Sequence, residues 1–173
     1  MTAAQAPDPA TTLLVIAKQP VPGRVKTRLV PQCTGPLDER LAAAFAAVRG
    51  PALLIGMDTP QVTPGLLSVD LAAADAVFGP ADDGGFWALG LRVPDPALPR
   101  GVPMSTPGTG AVQRGRLLAA GLRVADLPRL RDVDTSADAA AVARQAPRSR
   151  FAARVRELAG VLSDADCALG ETA

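Results

Sequence analysis

Five short apolar runs punctuate the chain: Leu13–Ala17, Ala52–Gly56, Ala76–Phe78, Trp87–Leu91 and Leu122–Leu127. Each lacks polar alternation over most of its length and is bounded by Gly, Pro or Asp, the pattern of strands buried on both faces. Between and after them lie stretches with helical spacing. Leu37–Val48 carries Asp38 and Glu39 in its first turn, Pro64–Ala73 is opened by Thr63 before a proline, and Gly110–Ala120 stops at Gly121. These are start and stop signals of helices. Ser136–Gln145 and Arg148–Leu162 read as two further helices, the second with Phe151, Val155, Leu158 and Leu162 on one face, a stripe expected to pack on the sheet. Strand alternating with helix predicts an α/β domain, a three-layer sandwich around a mostly parallel central sheet. Residues 11–162 are expected to form this single domain, with 1–10 a flexible N-terminus and 163–173 a loose C-terminal tail.

The polar residues cluster where these strands end. Lys18 follows the first strand, Asp58 the second, and Asp82-Asp83-Gly84-Gly85 the third. In open α/β sheets the carboxyl edge is where ligands bind, so these groups are expected to face one crevice. The only two lysines, Lys18 and Lys26, share one short stretch with Arg24 and Arg28, in a chain whose other basic residues are all arginine. An ammonium point charge beside planar guanidinium forks suits phosphate oxygens, although a solvated basic loop has the same composition. Asp58 can hold a cation bridging phosphates or simply stabilise the turn before Pro60. Asp82 and Asp83 can bind or deprotonate an acceptor hydroxyl while Gly84 and Gly85 admit a ligand close to the backbone; the same four residues also make an ordinary turn. Trp87 can stack on a base or sugar, but a tryptophan inside a strand more often belongs to the core.

Composition narrows the chemistry. The 173 residues include no histidine and no tyrosine, which excludes Ser-His-Asp and Cys-His catalysis and His-ligated metals. Cys33 and Cys167 are far apart and form no C-x-x-C, so neither a disulfide framework nor a zinc cluster is expected. A metal here would be a hard cation on aspartates, Mg²⁺ or Mn²⁺. A net charge of +1 offers no general attraction to nucleic acid or an anionic membrane, and no apolar run is long enough to span one, so neither is an expected partner and a cytoplasmic location is. Gly23-Arg-Val-Lys-Thr27 lacks the glycine spacing of a P-loop, and Gly108-Thr-Gly-Ala-Val-Gln-Arg-Gly115 misses the dinucleotide fingerprint by one residue.

Four segments taken together carry a family resemblance: Ala17-Lys-Gln-Pro-Val-Pro-Gly-Arg-Val-Lys-Thr-Arg-Leu29, Ile55-Gly-Met-Asp-Thr-Pro60, Gly79-Pro-Ala-Asp-Asp-Gly-Gly-Phe-Trp-Ala-Leu-Gly90 and Leu130-Arg-Asp-Val-Asp-Thr135. In this order the set resembles the nucleotide-diphosphosugar transferases of the glycosyltransferase-A fold, in particular their selenodomain-associated branch, distant kin of molybdenum-cofactor and phospholactate guanylyltransferases. The resemblance implies a nucleotide or nucleotide sugar bound at its phosphates by Lys18, Gly23, Arg24, Lys26, Thr27 and Arg28, with Lys26 also easing charge on the leaving group. It implies Mg²⁺ (or Mn²⁺) on Asp58 and, in the late Asp-x-Asp-Thr, on Asp134 in preference to Asp132. A small-molecule acceptor would meet Asp82, Asp83, Gly84 and Gly85, with Asp83 as catalytic base. Thr135 and Ser136 could instead begin a capping box. The family places further strand–helix units where this chain has only Val30–Pro36, so the fold reads as shortened after residue 30 by at least one βα unit of roughly 30 residues. Two functions stay open on this reading: glycosyl or nucleotidyl transfer, and a catalytically silent nucleotide-binding or scaffold module.

Overall fold

The computed structural model describes residues 11–16, the backbone of 18–19 and 27–28, and residues 35–159. Five strands form one sheet in the order β1 (Thr12–Ile16), β4 (Ala52–Gly56), β6 (Phe86–Leu91), β5 (Ala76–Pro80) and β7 (Val124–Asp126). A separate two-stranded ribbon pairs β2 (Lys18–Gln19) with β3 (Thr27–Arg28). The helices are α1 (Leu37–Ala46), α2 (Pro64–Leu67), α3 (Thr109–Ala119) and α4 (Ser136–Gln145), followed by a final helix over 150–159. The breaks at residue 30 and the terminal segments 1–10 and 163–173 lie outside the described residues.

The sheet is mixed, not mostly parallel. β1 pairs parallel with β4 and β5 parallel with β7, but β6 sits between β4 and β5 and runs antiparallel to both. The reason is the brevity of the Ala81–Gly85 link, since a parallel crossover needs a dozen or more residues and this turn permits only a hairpin. Unbroken apolar runs report burial on both faces, which a reversed interior strand satisfies equally well. The four strands β1, β4, β5 and β7 still share one direction, so their carboxyl ends lie along one edge.

Each face of the sheet has its own core. On one, Leu41 and Phe45 of α1 and Leu117 of α3 pack with Leu54, Phe78, Leu89 and Leu91. On the other, Leu53, Ile55, Val77 and Trp87 pack with Leu71 and with Leu66, Leu67 and Leu130. Adjacent residues of one strand, such as Leu53 and Leu54, thus serve opposite cores, as the period of two demands. β1 differs from the expectation of two buried faces. Among the described residues it is one of two edge strands; Leu14 and Ile16 pack on the core that includes Leu41 and Phe45 of α1, and Leu13 and Val15 on the other side are 46% and 50% exposed.

Two helices also depart from their sequence patterns. α2 stops at Leu67, well short of Ala73, because the Asp70 carboxylate accepts from the Ala72 and Ala73 amides at 2.9 Å each and holds a separate turn there. In the final helix the core contact is made by Ala152; Phe151 and Val155 are half-buried and Leu158 is 49% exposed, so the described part of the expected stripe packs only in part, and Leu162 lies outside the described residues. α1 lacks a side-chain cap, but its acidic first turn ties it to the loop before α3, where Asp38 accepts from the Gly101 amide and Glu39 pairs with Arg100.

Candidate active site

The carboxyl ends of β1 and β4 are in register, Ile16 beside Gly56. From there the chain enters β2 on one side and the Asp58 loop on the other, while Asp82 and Asp83 leave β5 at the same edge. The β2–β3 ribbon sets Lys18 opposite Arg28 and Gln19 opposite Thr27 along the backbone, so the basic stretch folds back on itself. Gly23, Arg24 and Lys26 lie outside the described residues.

The segment Pro128–Asp134 acts as a strap across this edge. The Leu130 amide donates to Pro80 O at 3.1 Å and the Asp82 amide donates to Leu130 O at 2.9 Å, extending the β5 pairing beyond β7. Trp87 Nε1 donates to Pro128 O at 2.9 Å, and Gln61 Nε2 to Arg131 O at 2.7 Å. The Val133 amide donates to Asp58 O at 2.8 Å. That last bond brings Asp132 and Asp134, which flank Val133, beside the loop carrying Asp58. Trp87 itself is 1% exposed with its indole N–H satisfied, so it is a core residue that anchors the strap. The strap ends in a true capping box: Thr135 and Asp138 exchange side-chain to backbone bonds at the start of α4, leaving Asp134 outside the cap and exposed.

The Asp82–Gly85 turn is fixed from within. Asp83 Oδ1 accepts from the Gly85 amide at 2.8 Å, and Gly84 O accepts from the Gly110 amide at 2.8 Å. Gly84 has φ +88°, and a Cβ there would collide with the Pro107 backbone; a Cβ on Gly110 would collide with Gly85 O. Two loops interlock through paired glycines, so the absent side chain of Gly84 makes room for the protein's own backbone. Gly85 remains on the wall of the neighbouring cavity.

Asp58, Asp83, Asp132 and Asp134 line one crevice of about 430 Å³ together with Ser105, Thr106 and Pro107. Asp82 opens onto its flank, where Arg131 pairs with it at 3.2 Å and lies 3.7 Å from Asp138. The crowding has a measurable consequence. Burial, then the negative charges of Asp83, Asp58, Asp134 and Asp82, push the Asp132 carboxyl up to about 6. Among the described residues no three acidic or cysteine side chains already converge into a metal cage. Mg²⁺ at phosphate sites does not require one, since it takes one or two carboxylates and completes its shell with phosphate oxygens and water. The hard oxygen donors and surplus negative charge of this crevice fit such an ion.

A model of the family described as "Uncharacterized protein conserved in bacteria (DUF2064)" matches residues 7–106, more than half the chain. The chain belongs to this family. The DUF2064 fold is also similar to the crystal structure of a protein from Desulfovibrio desulfuricans G20 named "putative nucleotide-diphospho-sugar transferase", with a TM-score of 0.67 and 28% identity over 77% of the present chain. The match spans 64% of that protein's length. No curated protein matches at a significant level.

In this DUF2064 protein the three acidic motifs reach one edge: Asp58, Asp83, Asp132 and Asp134 line the crevice and Asp82 its flank, while most of the basic motif lies outside the described residues. The polar turn Ser105-Thr106 was not apparent from sequence. Ser105 sits at φ +58°, and Thr109 Oγ1 accepts from the Thr106 amide at 3.0 Å while donating to Pro103 O at 2.7 Å. Its only sequence signal is a Ser-Thr-Pro-Gly cluster just before a helix, which marks a loop and no chemistry.

Proposed function

We propose that this protein is a nucleotide-dependent transferase that takes a nucleotide or nucleotide sugar and a small-molecule acceptor, of the kind found in the selenodomain-associated branch. The single observation that carries the proposal is the Val133–Asp58 backbone bond, which gathers Asp58, Asp132 and Asp134 around the crevice that Asp83 also lines. Such a carboxylate crevice beside the start of a basic ribbon matches the needs of a metal-bound polyphosphate.

In this reading Asp58 and Asp134 hold Mg²⁺ (or Mn²⁺), which when bound offsets phosphate charge. Lys18, Gly23, Arg24, Lys26, Thr27 and Arg28 bind the phosphates, and Lys26 stabilises charge on the departing group. Asp82, Asp83 and Gly85 form the acceptor wall. With a nucleotide sugar, the acceptor oxygen bonds to the anomeric carbon, the bond from that carbon to the phosphate oxygen breaks, and its electron pair leaves with the nucleoside diphosphate. The acceptor's proton passes to Asp83. Nucleotidyl transfer would use the same groups, with the acceptor oxygen attacking phosphorus and pyrophosphate leaving.

The test is a thermal-shift panel of nucleoside triphosphates and nucleotide sugars, with and without Mg²⁺, on the protein and on Asp58→Ala. A ligand at 100 times its Kd stabilises a fold by about 2.7 kcal/mol. A Mg²⁺-dependent shift that Asp58→Ala abolishes is the expected result, followed by turnover assays with that nucleotide. The alternative reading is a silent nucleotide-binding or scaffold module. That module would shift with nucleotide and show no turnover. A folded protein that no nucleotide shifts would sink both readings.

A further inference from the structure

Beside the carboxylate crevice lies a cavity of about 180 Å³ with a different character. Its apolar wall comprises Ile16, Leu37, Leu41, Leu54, Phe86 and Met104, contributed by the ends of β1 and β4, by α1, by the start of β6 and by the loop before α3. Asp83, Asp132, Ser105, Thr106 and Thr109 supply its polar end, and all of these but Thr109 also line the crevice. Resting on the transferase reading above, we infer that this cavity selects the acceptor, which is an uncharged alcohol whose hydroxyl is joined to a compact aromatic or branched aliphatic group.

Three observations carry this. The walls offer carbon surface, and an apolar space of about 150 Å³ suffices to hold a benzene ring. A polyhydroxylated acceptor would press further hydroxyls against Leu, Ile and Phe, where they lose water and gain no partner, because the polar groups Asp83, Asp132, Ser105, Thr106 and Thr109 cannot also meet the apolar side. The polar end holds carboxylates, which accept from an O–H donor and repel a carboxylate or phosphate on the acceptor. The charged groups among the described residues lining the cavity are Asp83 and Asp132, both acidic. Ser105, at φ +58°, and Thr106, whose amide donates to the Thr109 hydroxyl, line both the cavity and the crevice and so hold the two spaces side by side.

Ligand-observed saturation transfer on the whole protein tests the inference, with benzyl alcohol, benzoate, glycerol and adenosine as probes. Benzyl alcohol is expected to bind at least tenfold tighter than benzoate or glycerol. Leu37→Phe and Met104→Trp, each filling the cavity, are expected to weaken benzyl alcohol at least tenfold while keeping the Mg²⁺-nucleotide thermal shift; two variants guard against either one failing to fold. No benzyl alcohol binding to a folded protein, or equal binding of benzoate, overturns the inference even if nucleotides bind. Displacement of benzyl alcohol by adenosine, or loss of the nucleotide shift in both filling variants, overturns it by making the cavity a base pocket. A nucleotide shift missing from the unaltered protein would overturn the acceptor role itself, whatever the cavity binds.

Discussion

The Asp82–Gly85 turn and the Pro128–Asp134 strap meet at the same sheet edge and are built on opposite terms. In the turn, Asp83 satisfies the Gly85 amide, Gly84 O receives the Gly110 amide, and backbone from another loop fills the space a side chain would need. In the strap, backbone bonds fix the path while its carboxylates crowd together, so that Asp132 holds its proton up to about 6. One segment spends its special residues on packing. The other accumulates like charge, which opposes folding and suits a cation or a proton donor.

The comparison breaks first at the glycines. Gly84→Ala and Gly110→Ala are each expected to destabilise the fold by about 3 kcal/mol, because a methyl would meet backbone that cannot rotate away and, at Gly84, sit at φ +88°. Denaturant melts check this; a loss below about 1 kcal/mol would mean the interlock is loose. Next comes the strap's anchor. Trp87→Phe removes ring volume from the core and leaves Pro128 O without its donor, an expected loss of about 2 kcal/mol.

Asp132→Asn should act in the opposite direction. A carboxyl whose folded pKa is raised stabilises the fold fully below its unfolded value near pH 4, and that contribution fades as pH rises through about 6. The substitution is therefore expected to stabilise the protein at pH 8 by about 1 kcal/mol, after discounting for the half-buried setting, and to change nothing near pH 3.5. Melting curves across that range would sharpen the contrast, and a pH-independent difference would disprove its electrostatic origin. Added Mg²⁺ should also stabilise the unaltered protein at pH 8 more than it does at pH 5, where Asp132 is largely protonated.

Much of the fold was legible because apolar runs and caps are local signals. β4 and α4 fall on Ala52–Gly56 and Ser136–Gln145 as their patterns require. Strand direction is not legible in the runs alone; it depends on how short the five-residue link Ala81–Gly85 is, and Asp-Asp-Gly-Gly signals both a turn and polar chemistry. The carboxylates were visible as aspartates following strands, and the strap's Asp-x-Asp-Thr proved to be both a cap and part of the crevice. The cavity was hidden. Leu37 and Leu41 look like any core-facing helix positions, and only tertiary packing sets them around a space next to Asp83 and Asp132.

The Val133–Asp58 bond also bears on how the protein is made. It joins a loop from the first half of the chain to a segment well past its midpoint, so its closure carries the entropy of a long loop. A chain growing from its N-terminus holds β4, β5 and β6, and with them the central strand pairs, before the strap that covers Trp87 is synthesised. During that interval Asp58 and Asp83 lack the Asp132–Asp134 side of their crevice. A premature stop ahead of Pro128 would therefore leave a chain able to form the central strand pairs but not the complete crevice.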